Sequence, residues 1–496
     1  MMQGELDNIL DTIKKLNPWF KDGKVPEKLV KPYIRQELSL IKKTMTNTDL
    51  ATLLIGGRRV GKSILLYQLI NSLLEDGVEQ KRILFIQGDN PILRESVSTA
   101  NILSTIIEAY EKYILDEDIS ETENPIYILL DEAQALPNWD AEIKTLIDLK
   151  YKIKFLITGS SSSKLREGIQ TPLIGRVYIA ILSPFSFRDF LGYELTTKTK
   201  PNNKIFSEID EIRKSFQTSL LKGGIFKIKQ SIKDLAQMLN DINLDNYFDE
   251  YILYGGFPYV IENRNNEDTT KYLRDILQMT FSRDILHEDQ IRAPLAFERL
   301  MVNICMNISG IFKLKSLAER VGLKDDRTVQ RYIDYYVNSH YAFISSQYSF
   351  FSRQETIKSN KKIYAIDTGL INALLFKNAK DLSKDNAYKG VLIENLIHST
   401  LLRHKLCITG NIYDNVPYWD NTKTHREIDF IFGLDEQIYP VEVKNKSSIP
   451  EDELLEMKTF MKKDEISGVG FVITNSLLQI DEKIIFIPAK YFTLLL

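Results

Sequence analysis

Two groups of residues in this chain have the types and spacing for phosphate and metal chemistry. The first is "GGRRVGKS": Gly56, Gly57, Arg58, Arg59, Val60, Gly61, Lys62 and Ser63. It fits G-x-x-x-x-G-K-[ST] without a mismatch. Glycines let a backbone wrap a phosphate, and the free N–H groups of a following helix, here entered through Ile64, complete the cradle. In such a loop the lysine, Lys62, reaches the β- and γ-phosphates and the hydroxyl of Ser63 ligates Mg²⁺. Arg58 and Arg59 stand at variable positions and are expected in solvent. A chance match in a Gly-containing loop is the competing reading; an apolar run before the motif and "SILLYQLINSLL" after it weigh against that.

A second half of the same chemistry lies downstream. "IYILLDEAQ" ends an apolar run in Asp131 and Glu132. Asp131 suits holding Mg²⁺ through water, and Glu132 suits orienting or deprotonating an attacking water. Helix capping is the alternative for the acid pair. "FLITGSSSSKL" ends in hydroxyls, of which Thr158 and Ser160 are candidates to reach a γ-phosphate or the water; a turn with local side-chain bonds is the alternative. ATP and Mg²⁺ are the cofactors these residues imply.

The second group sits near the end of the sequence, in "REIDFIFGLDEQIYPVEVKNK". Two apolar strands around a turn carry Asp429 and then Glu442, with Lys444 two residues on and therefore on the same strand face as Glu442. A preceding helical stretch, "YKGVLIENLIHSTLLRH", offers Glu394 among apolar neighbours. Three carboxylates suit a hard divalent cation, Mg²⁺ or Mn²⁺, and the lysine suits stabilising charge or generating hydroxide. A surface ion pair between Lys444 and one acid is the plainer alternative. The arrangement of helix, strand with Asp, then strand with Glu-x-Lys resembles the restriction-endonuclease superfamily.

The elements that must position these residues change character along the chain. Residues 1–49 read as helical and charged. From Asp49 short apolar runs alternate with amphipathic helices: 50–56, 82–89, 125–132, 153–160 and 176–182. Runs of this kind predict strands buried on both faces of a parallel sheet in an α/β layer fold. Residues 195–267 read as a helical, partly exposed connection that includes the turn "YGGFPYV". Residues 268–346 contain helix-turn-helix spacing: an apolar face at Leu314, Leu317, Ala318 and Val321, a turn, a second helix patterned by Val329, Tyr332, Ile333 and Tyr336, and "YAFISSQ" as a wing. Arg327, Gln330 and Arg331 fall on that helix's polar face and can meet DNA, against a reading in which the domain only packs. Residues 347–496 mix helices and strands. "FSRDI" (281–285) has no assigned chemistry.

At 496 residues the chain predicts several domains. Net charge near −3 excludes a global basic field, so any DNA contact is a local patch. Two cysteines, Cys305 and Cys407, exclude a disulfide framework and a Cys-rich zinc site, and both read as core thiols. The charged N-terminus argues against a signal peptide, and no apolar run is long enough to span a membrane; a cytoplasmic location is expected.

Taken together, Gly56–Ser63, "LLDEAQ", "ITGSSS", "LIGR" before "LSPFSFRDF", "YGGFP" and "YAIDTGL" resemble the AAA+ ATPases, and within them the bacterial and archaeal group that joins such a module to a C-terminal domain of unknown function with a nuclease-like fold. The resemblance implies a P-loop module with strand order 5-1-4-3-2, a winged-helix middle and a restriction-endonuclease-like C-terminal domain. It also implies an arginine finger at Arg176, just before the fifth strand, and hence a homo-oligomer. The resulting expectation is a Mg²⁺-dependent ATPase coupled to a winged-helix and nuclease-like module acting on DNA. A nucleotide switch whose C-terminal domain binds a partner without cutting, and a non-enzymatic DNA scaffold, stay open.

Overall fold

The computed structural model describes all residues other than 1–2, 96–100, 161–171, 198–202, 223, 265–267, 282–292, 350–353, 356–359, 410, 412–413, 422–423, 425, 435–436, 464–468 and 481–482. "FSRDI" therefore lies almost wholly outside the described residues. The chain forms two compact units, Met1–Leu182 and Ser183–Leu496.

The first unit is built on β1 (Ala51–Gly56), β2 (Ile83–Gln87), β3 (Ile126–Asp131), β4 (Ile153–Ser160) and β5 (Val177–Ile181), all parallel, in the order β2-β3-β4-β1-β5. This is the expected 5-1-4-3-2 order, and the class is α/β. β1 and β3 are buried along their whole length, because helices cover both sheet faces. β5 departs from the expectation of full burial: it is the edge strand and is half-buried throughout.

The N-terminal segment is part of this unit rather than a separate element. Helix α1 (Gln3–Leu16) leads to Asn17, whose side-chain amide donates to Phe85 O at 2.9 Å and accepts from Phe85 N at 2.6 Å. Trp19 Nε1 donates to Ile83 O at 2.9 Å. These side chains occupy backbone groups on the outer edge of β2 that would otherwise invite strand addition. Helix α2 (Gln36–Asn47) packs nearer β1 and β4.

In the second unit, helices α3 (Pro294–Met306), α4 (Leu314–Val321) and α5 (Asp326–Asn338) accompany a three-stranded antiparallel sheet. Its strands are β6 (Ile311–Phe312), β7 (Ala342–Ser346) and β8 (Lys361–Ala365), in the order β6-β8-β7. The middle strand thus comes from beyond residue 346, so the division expected there cuts through one sheet. Helix α6 (Thr368–Leu374) follows, then α7 (Asn386–Thr409). The C-terminal sheet is β9 (Phe430–Leu434), β10 (Gln437–Lys444), β11 (Gly470–Thr474), β12 (Gln479–Ile480) and β13 (Ile484–Pro488), ordered β9-β10-β11-β13-β12. β9 and β10 form an antiparallel hairpin, and helix α8 (Leu455–Lys463) leads to β11, parallel to β10. Cys305 is buried, whereas Cys407, near the end of α7, is exposed, contrary to its reading as a core thiol.

Three further motifs of the sequence meet in this unit. The Phe185 N–H donates to Gly256 O at 2.7 Å, and Phe185 O accepts from Tyr251 Oη at 2.7 Å. Asp367 then accepts from Gly256 N at 2.6 Å and from Leu370 N at 2.9 Å. A Cβ at Gly256 would stand 2.0 Å from Phe185 O, so only glycine fits the crossing. "LSPFSF", "YGGFP" and "AIDTG" are therefore a packing joint.

Burial pushes the Asp367 carboxyl from 3.8 up to about 6; the amides of Gly256, Leu370 and Gly369 and the charge of Arg403 only partly oppose it. A carboxyl raised on folding contributes stability that is fully present below about pH 4 and lost as pH rises through 6. The loss by pH 7 amounts to about 3 kcal/mol. Asp367→Asn should flatten this part of the pH dependence of the melting temperature between pH 4 and 7, measured by calorimetry. An unchanged slope would show that Asp367 is not the titrating group.

Candidate nucleotide site and a second acid cluster

The loop Gly57–Gly61 joins β1 to helix Lys62–Glu75. Gly61 has φ 103°, a left-handed conformation that favours glycine, and it directs the chain into the helix. Lys62 is 6 % exposed, and its ammonium donates to Gly56 O at 2.9 Å and Gly57 O at 3.0 Å. Arg59 is exposed and Arg58 half-buried, while Val60 is buried. Ile64 is half-buried one position into the helix after Ser63.

Ser63 Oγ donates to Asp131 Oδ2 at 2.7 Å, and Thr158 Oγ1 donates to Asp131 Oδ1. The sheet order makes this possible: β4 lies between β3 and β1, and Thr158 is level with Leu54. Burial raises the Asp131 carboxyl above its ordinary range; the two hydroxyls and Lys62 oppose the shift, and Glu132 adds to it.

Thr158 is fully buried, and its hydroxyl donates to Asp131. Ser160 ends β4 opposite Gly56, and its side chain lies outside the described residues. Glu132 follows Asp131 with φ 51°, a left-handed backbone uncommon for a non-glycine residue and frequent at functional sites. Its carboxylate accepts from Gln134 Nε2, and its N–H donates to Thr158 Oγ1 at 3.4 Å.

Arg176 lies elsewhere. Its carbonyl accepts from Ala51 N at 2.9 Å, at the opening of β1, whereas the phosphate loop leaves the other end of that strand. Five residue steps separate the two ends, roughly 17 Å at strand rise. The guanidinium pairs with Asp148 at 2.7 Å, at the end of helix Trp139–Asp148.

Two residues beyond the motif also reach this site. Arg35 is 5 % exposed and donates to Val60 O at 3.4 Å while pairing with Glu37 at 2.8 Å. Tyr67, one helical turn past Ser63, has its phenol raised by burial and then by Asp131. Neither carried a motif signal.

The second group also converges. The register Phe430↔Val441, continued by one residue, sets Asp429 opposite Glu442. Asp429 Oδ2 accepts from Val443 N at 2.7 Å, and Glu442 Oε1 pairs with Lys444 at 2.7 Å. Glu394, on α7, is half-buried as a residue with its carboxyl end turned inward, where it accepts from Tyr364 Oη at 3.1 Å.

Burial, then the charge of Asp429, push the carboxyls of Glu394 and Glu442 up to about 8. Burial also raises Asp429, opposed first by Lys362. Lys362 and Tyr364, both on β8, were not foreseen at this site.

The three acids do not fit a metal as they stand. Among the described residues, no group of three or more His, Cys, Asp or Glu is arranged to hold a metal ion. Each acid is turned to a protein donor of its own.

A family model described as "AAA domain" matches residues 48–191. Two models for domains of unknown function, DUF8612 and DUF4143, match residues 245–381 and 389–492. An uncharacterized protein of Methanocaldococcus jannaschii is 25% identical over 466 residues, covering 90% of this chain and 88% of its own. An uncharacterized protein of Haemophilus influenzae is 24% identical over 432 residues, covering 85% of this chain and 90% of its own. Among solved structures, the Walker-type ATPase of Pyrococcus abyssi aligns with a TM-score of 0.38 and 15% identity, over 69% of this chain and 96% of that one. The replication initiator DnaA bound to AMPPCP and single-stranded DNA aligns with a TM-score of 0.24 and 14% identity, over 62% and 88%. With the P-loop and the strand order, the match over residues 48–191 gives the first unit an AAA-type ATPase fold.

Proposed function

We propose that the chain is a Mg²⁺-dependent ATP hydrolase whose nucleotide state is passed to a DNA-contacting second unit. The observation that carries this reading is the 2.7 Å contact between Ser63 and Asp131, which joins the two halves of a phosphate and magnesium site. The hydroxyl and the carboxylate are hard oxygen donors that fit Mg²⁺, and the ion when bound supplies charge neutralisation for the β- and γ-phosphates. Lys62 exchanges the Gly56 and Gly57 carbonyls for phosphate oxygens. The loop N–H groups orient the triphosphate. Thr158 holds Asp131, and Glu132 takes up the water proton. No described helix is long and apolar enough to cross a membrane.

Lys62→Ala should abolish nucleotide binding, and Glu132→Gln should bind ATP while turnover falls by about 100-fold or more, the usual contribution of a general base. Phosphate release and nucleotide titration check both. Wild-type turnover in Glu132→Gln would remove Glu132 from the reaction.

The position of Arg176, far along β1 from its own phosphate loop, supports a role on a second copy of the chain. Mixing Arg176→Ala with Lys62→Ala should then recover part of the lost turnover at mixed interfaces. Absence of recovery in a verified mixed oligomer would assign Arg176 to its pairing with Asp148.

The order of a helix, a strand, two helices and two strands, with β8 central, supports a winged-helix reading and with it DNA contact. Asp325 caps α5 by accepting from Arg327 N and Thr328 N, and the side chains of Arg327 and Arg331 are exposed near the start of that helix. Gln330 is half-buried and donates to Asp334 at 2.8 Å, so the two arginines carry the proposed contact. Arg327→Ala/Arg331→Ala should weaken duplex DNA binding about tenfold and reduce the logarithmic salt slope by about two. Anisotropy titrations at several salt concentrations measure both, and an unchanged slope would exclude this helix.

The α7, β9–β10 hairpin, α8 and parallel β11 support the nuclease-like reading of the C-terminal fold. The engagement of all three acids favours its use as a binding platform without cleavage.

A further inference from the structure

The acid cluster contains a cation that no motif announced. Lys362 and Tyr364 are two apart on β8 and so share one face of the strand. Tyr364 uses that face to donate to Glu394. Lys362 is 1 % exposed and pairs at 2.8 Å with Glu427, two residues before Asp429. Its ammonium also lies 5.1 Å from the centre of the Tyr418 ring. Across the hairpin, Glu442 is 5 % exposed, and its Oε2 has no hydrogen-bond partner among the described residues. A buried carboxylate oxygen in that condition is costly unless positive charge stands nearby.

We propose that Lys362 is the resident cation of this cluster: its ammonium, carried in on the middle strand of the small three-stranded sheet, provides for Asp429, Glu394 and Glu427 the charge that a divalent metal supplies in a nuclease centre, and so binds that sheet to the C-terminal domain. Lys362 has Asp429 and Glu394 as its leading charged neighbours, ahead of Glu427 itself. Lys444, two residues on along β10, plays the same part for Glu442. Two ammonium groups face four carboxyl groups, of which Glu394 and Glu442 are pushed up to about 8, in one compact cluster, and a metal competes with Lys362 for the same oxygens.

The test is isothermal titration of the full chain with MnCl₂, without nucleotide, comparing wild type, Lys362→Met, Asp429→Asn and Lys362→Met/Asp429→Asn. Binding at the P-loop is common to all four proteins. Lys362→Met should gain one Mn²⁺ per chain, at least about tenfold tighter than any binding by these acids in wild type, and the double variant should lose it. The proposal is overturned if Lys362→Met gains nothing, or if wild type already binds as tightly an Mn²⁺ that Asp429→Asn removes.

Because Lys362→Met leaves buried acids without their cation, its melting temperature is the second measurement. The double variant should recover about 5 °C or more of what the single variant loses, since removing both partners is gentler than removing one. Additive losses, or a double variant no better folded than the single one, would overturn the pairing.

Discussion

A carboxylate at the end of a fully apolar strand is the constraint around which the first unit is arranged. β3 is buried from Ile126 to Asp131, and an ionised acid there, unsupported, costs several kcal/mol. Its support is two hydroxyls, one from the residue after the P-loop lysine and one from β4. Both can arrive only if β4 lies beside β3 and the loop after β1 opens at the same sheet edge. Sheet order and nucleotide site are thus one requirement. Exchanging β4 with β5 would leave Asp131 with one partner and send Thr158 to the sheet edge.

The second unit meets the same difficulty twice, with different means. Asp367 is held by backbone amides, which is why the crossing chain must come as close as Gly256 allows. The cluster of Glu394, Asp429 and Glu442 has more charge than amides can absorb. There a tyrosine hydroxyl, one backbone amide and two lysines divide the work. Motifs such as "YGGFP" and "AIDTG" carry the residues that this close packing requires.

What was legible in the sequence was what is locally encoded. Gly56–Ser63 is a contiguous motif with its strand and helix attached, and β1 to β4 are continuous apolar runs because both of their faces are covered. The helix pair Leu314–Val321 and Asp326–Asn338 was visible from apolar spacing alone. What escaped depends on partners far along the chain. Asn17 and Trp19 look like ordinary helix-end residues until β2 lies against them. β8 falls outside residues 268–346 although its sheet partners, β6 and β7, lie within them, and nothing in "KKIYA" records that pairing. Thr158 reads as a phosphate contact from its place at a strand end, and only the position of Asp131 beside it reveals its use. β5 has the composition of a central strand and the exposure of an edge, since nothing in "VYIAI" records how many neighbours it will have.

The two acid sites differ in the kind of partner they were given, and that difference decides what each can hold. Ser63 and Thr158 are neutral. They satisfy the hydrogen-bonding capacity of Asp131, and Lys62 is the least of the influences that oppose its shift, so the acid keeps most of its demand for a cation. Asp429 is treated otherwise: the charges of Lys362 on β8 and Lys444 on β10 both oppose its own before any ion arrives. Three carboxylates at metal-ligand spacing therefore do not specify a metal centre by themselves. The same three residues describe a catalytic site when Lys444 is the one ammonium beside them and an internal ion cluster when a second, Lys362, stands among them. In this chain that neighbour lies on a strand 67 residues before Asp429, beyond the reach of any local pattern.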